Sequence, residues 1–129
     1  MKRAGILNAD LNLALSKLGH TDTVVIADCG LPRPPGVPVV DLAVVFGVPT
    51  FEQVLRAIAD EVVVERAVLA TEAAELNPDV PALVTELCGT PATVSHEEFK
   101  QQTRTAALLV RTGEASPYAN VILHCGVPF

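Results

Sequence analysis

Five polar or ionisable side chains stand where the sequence predicts the ends of strands or helices. These candidates are His20, Asp28, His96, Tyr118 and Asn120. Open α/β sheets bind ligands at strand ends, so polar residues there are the first candidates for chemistry. An imidazole exchanges protons near neutral pH because its unperturbed pKa is about 6.5, and a carboxylate accepts hydrogen bonds. The set therefore suits proton transfer and the binding of a polar small molecule.

Each candidate also has a purely structural interpretation. His20 follows a predicted helix end, where the helix dipole favours a cationic imidazole, and His96 is a first-turn residue of another helix. Asp28 can shape a turn through its side chain, and Asn120 can do the same. Tyr118 can be a packed ring with its hydroxyl at the surface. The local pattern alone leaves these alternatives open.

No local pattern matches a known signature for a metal, a nucleotide or a catalytic triad. The sequence contains no P-loop, no G-x-G-x-x-G, no H-E-x-x-H and no G-x-S-x-G. A metal site assembled from Cys29 and the three histidines would lack the ligand spacing of known sites. The residues therefore predict neither a metal nor a cofactor.

Composition excludes several classes of protein. A chain of 129 residues, half of them hydrophobic, fits one domain spanning residues 1–129. The formal net charge of −6 and the dispersed basic residues argue against a nucleic-acid surface. Three cysteines without a C-x-x-C pair suit reduced thiols. The N-terminal residues form neither a signal peptide nor a membrane span, so we expect a cytoplasmic protein that does not bind membranes.

Alternating helices and strands must position the candidate residues. The apolar run at residues 23–28 is typical of a buried strand. Further strands are predicted at residues 39–45, 62–70, 106–110 and 120–124. One helix is predicted from Leu7 to Leu18. Three more are predicted, each with a capping residue: Thr50 for a helix to about Asp60, Asn77 for one to about Cys88, and Ser95 for a short one. This order favours an α/β fold, a single-domain sandwich with a largely parallel central sheet flanked by helices.

Six segments of the sequence, taken together and in order, resemble one known family. They are residues 5–8, 18–23, 25–32, 94–100, 111–114 and 116–123. The family is that of the ribose pyranases and fucose mutarotases, and the resemblance covers essentially the whole chain. Residues 28–32 (DCGLP) and 96–99 (HEEF) resemble its ribose branch.

The resemblance implies a sugar isomerase that interconverts the β-pyranose and β-furanose forms of D-ribose and so supplies ribose for phosphorylation. In the family pattern His20 matches the proton donor. Asp28, His96 and the Tyr118-Ala119-Asn120 segment match sugar-binding positions. The resemblance also implies a homo-oligomer, a decamer of two stacked pentameric rings with its sites at subunit contacts.

The expected reaction opens the sugar ring to the aldehyde and closes it again through a different hydroxyl. Only protons move to or from the protein, so the chemistry requires no cofactor. We expect His20 to protonate the ring oxygen, and Asp22 to orient its imidazole. Three alternatives stay open: a mutarotase acting on L-fucose or another aldose, a non-catalytic sugar-binding module, and a structural assembly protein.

Overall fold

A six-stranded sheet forms the centre of the molecule, and helices pack on both of its faces. The computed structural model describes all 129 residues. The strands are β1 (Thr23–Ala27), β2 (Val39–Asp41), β3 (Val64–Ala70), β4 (Ala92–Val94), β5 (Leu108–Arg111) and β6 (Val121–Cys125). The helices are α1 (Ala9–Ser16), α2 (Phe51–Ala59), α3 (Ala73–Leu76), α4 (Asp79–Cys88) and α5 (His96–Gln102), the last followed by a 3-10 turn at Thr103–Thr105.

The strand order across the sheet is β2-β5-β1-β6-β3-β4. Neighbouring strands are parallel except for β6, which runs antiparallel to both β1 and β3. The predicted largely parallel sheet is therefore confirmed, with one reversed strand. Five strands end, and β6 begins, at the same end of the sheet, which we call the carboxyl end. The opposite end is called the amino end.

Strand β1 lies between two hydrophobic clusters, one on each face of the sheet. Val24 and Ile26 pack in a cluster with residues of α1, α2 and α4. Val25 and Ala27 pack in a second cluster with Phe99 of α5. Successive side chains of a strand point to opposite faces, so a strand covered on both faces is apolar along its whole length. This double burial explains the continuous apolar run in the sequence.

The first helix and the second strand are shorter than the sequence predicts. The side chain of Asn8 accepts the Leu11 N–H at 2.9 Å and caps α1, which therefore begins at Ala9. Leu7 lies outside the helix and is 70% exposed. Strand β2 ends at Asp41 instead of residue 45, because its carboxylate accepts the Ala43 N–H and turns the chain. Residues 43–48 form what we call the apolar loop, in which the exposed side chains are Val44, Val45, Phe46 and Val48.

The start of α4 also differs from the prediction that Asn77 caps it. The Asn77 amide donates hydrogen bonds to the Ser116 Oγ at 3.0 Å and to the Pro117 carbonyl at 2.8 Å, so it ties α4 to the segment before β6. The sequence does not predict the short elements α3 and β4. Thr50 and Ser95, in contrast, cap α2 and α5 as predicted.

Candidate active site

A pocket of about 300 Å³ opens at the carboxyl end of the sheet. Its lining brings together three of the candidate residues, one from each of three separate segments. The lining residues are Asp28, Gly30, Leu31, Pro32, His96 and Tyr118. Asp28 directly follows β1, His96 follows β4, and Tyr118 precedes β6. These three side chains therefore surround one cavity at the strand ends, where open α/β sheets bind ligands. We call this relation the strand-end rule.

Asn120 lies behind Asp28 and is 1% exposed. Its amide oxygen accepts the Asp28 backbone N–H at 2.8 Å, and its amide nitrogen donates to the Asp28 Oδ2 at 2.9 Å. The other carboxylate oxygen of Asp28 accepts the Gly30 N–H at 3.0 Å. Each carboxylate oxygen has two lone pairs, so both keep the capacity to accept a further hydrogen bond. The Asp28 carboxylate is therefore fixed in place yet still able to bind a hydroxyl.

The His96 ring is held by packing. It lies 5.1 Å from the Tyr118 ring in an edge-to-face arrangement and 6.4 Å from the Phe99 ring in a stacked one. Its Nδ1 is buried and has no hydrogen-bond partner. The imidazole therefore keeps one orientation through ring packing and lines the pocket.

The segment that carries Tyr118 is held by its own polar contacts. The Glu114 carboxylate accepts the N–H groups of Phe51 at 3.1 Å and Ser116 at 3.2 Å. Partial burial would raise the pKa of Glu114, but these N–H donors outweigh it and lower the pKa below its ordinary value. Tyr118 itself has a φ of 56°, a left-handed conformation that is uncommon outside glycine. The fixed segment places the tyrosine ring against the pocket.

Ala119 does not line the pocket through its side chain. The residue is fully buried and packs in the cluster on the α1–α2–α4 face of the sheet. Any contact between Ala119 and a ligand in the pocket would therefore have to come from its backbone. Asn120 likewise acts on the pocket from behind, through Asp28.

His20 lies at the amino end of the sheet, away from this pocket. It precedes β1 and Asp28 follows it, so the five residues of the strand, about 17 Å in length, separate them. The His20 side chain is 50% exposed, and its Nε2 lies 3.4 Å from the Glu65 Oε2. The Asp22 carboxylate accepts the Gly19 N–H at 2.7 Å instead of contacting the imidazole. The hypothesis that Asp22 orients His20 is therefore wrong.

Two polar residues at the carboxyl end are missing from the sequence-based candidates. The Glu72 carboxylate accepts the backbone N–H of His96 through both oxygens, at 3.0 and 3.2 Å. Arg111 donates from Nε to the Cys29 carbonyl at 3.1 Å, and its guanidinium pairs with Asp41 at 3.1 Å. Glu72 follows the predicted strand 62–70, and Arg111 follows the strand 106–110. The strand-end rule could therefore have found both.

The structure contains no group of three or more His, Cys, Asp or Glu side chains arranged to hold a metal ion. None of its helices has the length and apolar character needed to cross a membrane.

Comparison with known protein families gives a match over almost the whole chain. The profile of the RbsD / FucU transport protein family matches residues 1–128. The chain belongs to this family. The chain resembles proteins named for ribose and structures named for fucose, so sequence identity is needed to separate the two sugars.

The family members with higher identity are named for ribose. The chain is 54% identical over 129 residues to the D-ribose pyranase of Exiguobacterium sibiricum, and the match covers both chains completely. The solved structure of Bacillus subtilis RbsD complexed with D-ribose is 44% identical, covers both chains completely and superposes with a TM-score of 0.94. The fucose mutarotase of Streptococcus pneumoniae, solved with L-fucose, has a TM-score of 0.82 over the whole of both chains but only 22% identity. That last similarity concerns the fold alone.

Proposed function

We propose that this protein is an isomerase, a D-ribose pyranase, which interconverts the β-pyranose and β-furanose forms of D-ribose. One observation carries the proposal: the full-length identity of 54% to a protein of that activity. The pocket at the carboxyl end supports it, because it offers fixed hydrogen-bonding groups around a cavity of about 300 Å³. A pocket of this kind suits a small polyhydroxylated ligand.

The reaction proceeds by ring opening and closure. In the pyranose, the anomeric hydroxyl releases its proton as the bond between C1 and the ring oxygen breaks, and the ring oxygen gains a proton. The product is the open-chain aldehyde. The hydroxyl on C4 then attacks C1 and loses its proton, while the aldehyde oxygen gains one and becomes the new anomeric hydroxyl. His20 donates the proton to the ring oxygen, and such acid–base catalysis typically gives about 10²–10⁴-fold acceleration.

The sugar hydroxyls are bound by the groups at the carboxyl end. Asp28 accepts hydroxyl hydrogen bonds through the lone pairs that Asn120 and Gly30 leave free. His96 supplies its imidazole and Tyr118 its hydroxyl at the same pocket. Ala119 contributes through its backbone. These groups hold the ring while the proton transfers take place.

A second copy of the chain supplies His20 to this pocket. The length of β1 separates His20 from Asp28 within one chain, so one copy cannot present both to the same sugar. The apolar loop supports a contact at the carboxyl end, because Val44 and Phe46 are 74% and 84% exposed beside Cys29 and Arg111. Exposed apolar patches of this kind mark interaction sites. The assembly we propose is the decamer of two pentameric rings implied by the family resemblance.

The setting of the reaction follows from its substrate. Ribose that enters a cell arrives as a mixture of ring forms, and a kinase that uses one form depends on the rate of exchange. We therefore place the protein in the cytoplasm, where it supplies ribose for phosphorylation.

Two-dimensional exchange NMR of D-ribose, with and without the protein, tests this function. The protein should accelerate exchange between pyranose and furanose signals, whereas the His20→Ala variant should bind ribose and accelerate exchange at least a hundredfold less. The same measurement with L-fucose tests the mutarotase alternative. Saturable ribose binding without faster exchange would instead identify a non-catalytic sugar-binding module.

A further inference from the structure

Glu72 and His96 follow two neighbouring parallel strands at the carboxyl end. β3 and β4 pair as far as Ala70 and Val94. Beyond that point the chains stay together, because Thr71 donates from its N–H at 2.7 Å and from its Oγ1 at 3.0 Å to the Val94 carbonyl. One residue further along the chain, the carboxylate of Glu72 accepts the His96 N–H. Strand pairing therefore delivers Glu72 to the backbone of a pocket residue.

The contact between Glu72 and His96 is a hydrogen bond to a charged acceptor. The Glu72 backbone N–H and the His96 N–H both donate to the carboxylate and lower the pKa of Glu72 below its ordinary value. The group is therefore ionised near neutral pH. Hydrogen bonds to an ionised acceptor are shorter and stronger than neutral ones. The His96 N–H needs such a partner, since it is among the first four N–H groups of α5, which have no acceptor within the helix.

Two acceptors serve the start of α5, and they act on different residues. The Ser95 Oγ accepts the Glu98 N–H at 3.2 Å and caps the helix. Glu72 acts only on His96, whose imidazole makes no hydrogen bond within the chain and touches Phe99 and Tyr118 by ring packing. The hydrogen bond from the His96 N–H to Glu72 is therefore the polar contact that fixes the backbone from which the His96 ring projects.

We infer that Glu72 is a positioning residue for sugar binding, because its carboxylate fixes the His96 backbone and thereby the imidazole that lines the pocket. The inference rests on the proposed function. Glu72 does not line the pocket itself, so its effect reaches the sugar through His96. Loss of the anchor lets the ring shift, and small displacements of a binding group are costly to recognition.

Exchange NMR at increasing ribose concentration tests this role with three variants. Glu72→Ala should raise the ribose concentration for half-maximal exchange by about tenfold, while the maximal rate stays within about threefold of the wild type, as expected for lost binding. Glu72→Gln keeps an acceptor oxygen for the His96 N–H and should restore most of the affinity. Ser95→Ala removes the other cap of the same helix and should leave half-saturation unchanged.

The outcomes separate the inference from the proposed function. A wild-type protein that does not accelerate exchange contradicts the proposed function. If the wild type is active but Glu72→Ala saturates at the wild-type ribose concentration, Glu72 has no positioning role. An equal rise in Ser95→Ala would also overturn the inference, because helix capping alone would then explain the effect. Should Glu72→Ala fail to fold, Glu72→Asp, with a side chain one carbon shorter, takes its place. Half-saturation at the wild-type ribose concentration would again mean that Glu72 has no positioning role.

Discussion

The two ends of the sheet hold their polar side chains in different ways. At the carboxyl end, Asp28 receives hydrogen bonds from Asn120 and Gly30, and the His96 backbone is anchored by Glu72. At the amino end, the imidazole of His20 is half exposed and makes its polar contact with Glu65, whose side chain is 60% exposed. Exposed ion pairs of this kind contribute little to stability. One end is fixed by the fold of the single chain, and the other is not.

The difference matches the two tasks that the reaction requires. Sugar binding needs several groups in fixed positions, and the fold of one chain supplies them before the ligand arrives. Proton transfer needs one imidazole, which a neighbouring copy can bring to the pocket when the subunits assemble. In the proposed assembly, the carboxyl end is a pre-formed half-site that the amino end of the next copy completes.

Mixing two inactive variants is the strongest test of this division. His20→Ala and Asp28→Ala should each lose most of the acceleration, on the order of 10²-fold or more. In mixed assemblies made by co-expression, a site between copies would regain both wild-type residues in about one quarter of cases, because each copy contributes to its neighbour's site. Exchange NMR on doubly tagged, purified assemblies measures the recovery.

The control for this mixing test pairs two residues of the same half-site. Asp28→Ala and His96→Ala both damage the pocket of a single copy, so their mixture should regain nothing. If the mixture of His20→Ala and Asp28→Ala is as inactive as its parents, the site is not shared between copies.

Substitutions at the two ends of the sheet should also differ in how far they lower the free energy of unfolding. Asn120→Ala removes the acceptor for the Asp28 N–H and the donor to its carboxylate, both buried behind the pocket. We expect the free energy of unfolding to fall by about 2 kcal/mol, since the partners are left unsatisfied. His20→Ala should change it by less than about 0.5 kcal/mol, as exposed positions usually do. Urea unfolding at equal protein concentrations measures both; equal losses would contradict the comparison.

Elements buried on both faces of the sheet are those that the sequence predicts well. β1 is recognisable because Val24, Val25 and Ile26 are all fully buried, so no polar residue interrupts the run. The apolar loop has the same composition as a strand, which is why β2 is predicted four residues too long. Its side chains are exposed in the single chain, and composition does not distinguish burial by the fold from burial by a partner. β4 escapes prediction because its three residues are only partly buried or exposed.

The candidate site divides in a similar way. The sequence finds Asp28 and Tyr118 beside recognisable strands and His96 at the start of a recognisable helix. Glu72 also follows a predicted strand, but its contact with the His96 backbone depends on the register between β3 and β4, which no local pattern shows. For His20 the sequence predicts the correct position before β1, but it does not show the pocket of another copy that His20 would enter. Its role rests on the family resemblance.

The smallest expected effect concerns His124, which lies on β6 at the amino end. Burial first, and then the Arg66 cation, lower the pKa of His124 below its ordinary value of 6.5, while Glu65 opposes them. The unfolded chain therefore takes up a proton before the folded one does. Stability is fully present above about pH 6.5 and falls as the pH drops from there towards the folded-state pKa. His124 is only partly buried, and solvent screening should keep the loss within about 0.5 kcal/mol.

The His124→Gln variant checks this linkage. Its free energy of unfolding, measured by urea titration between about pH 7 and pH 5, should fall less steeply than that of the wild type because the group that takes up the proton is gone. The Arg66→Gln variant should show an intermediate slope, since burial of the imidazole remains and only the cation is removed. A steeper acid-side fall in His124→Gln would mean that His124 gains a partner for its charged form in the folded protein. The amino end would then be more ordered than the contacts of His20 and Glu65 indicate.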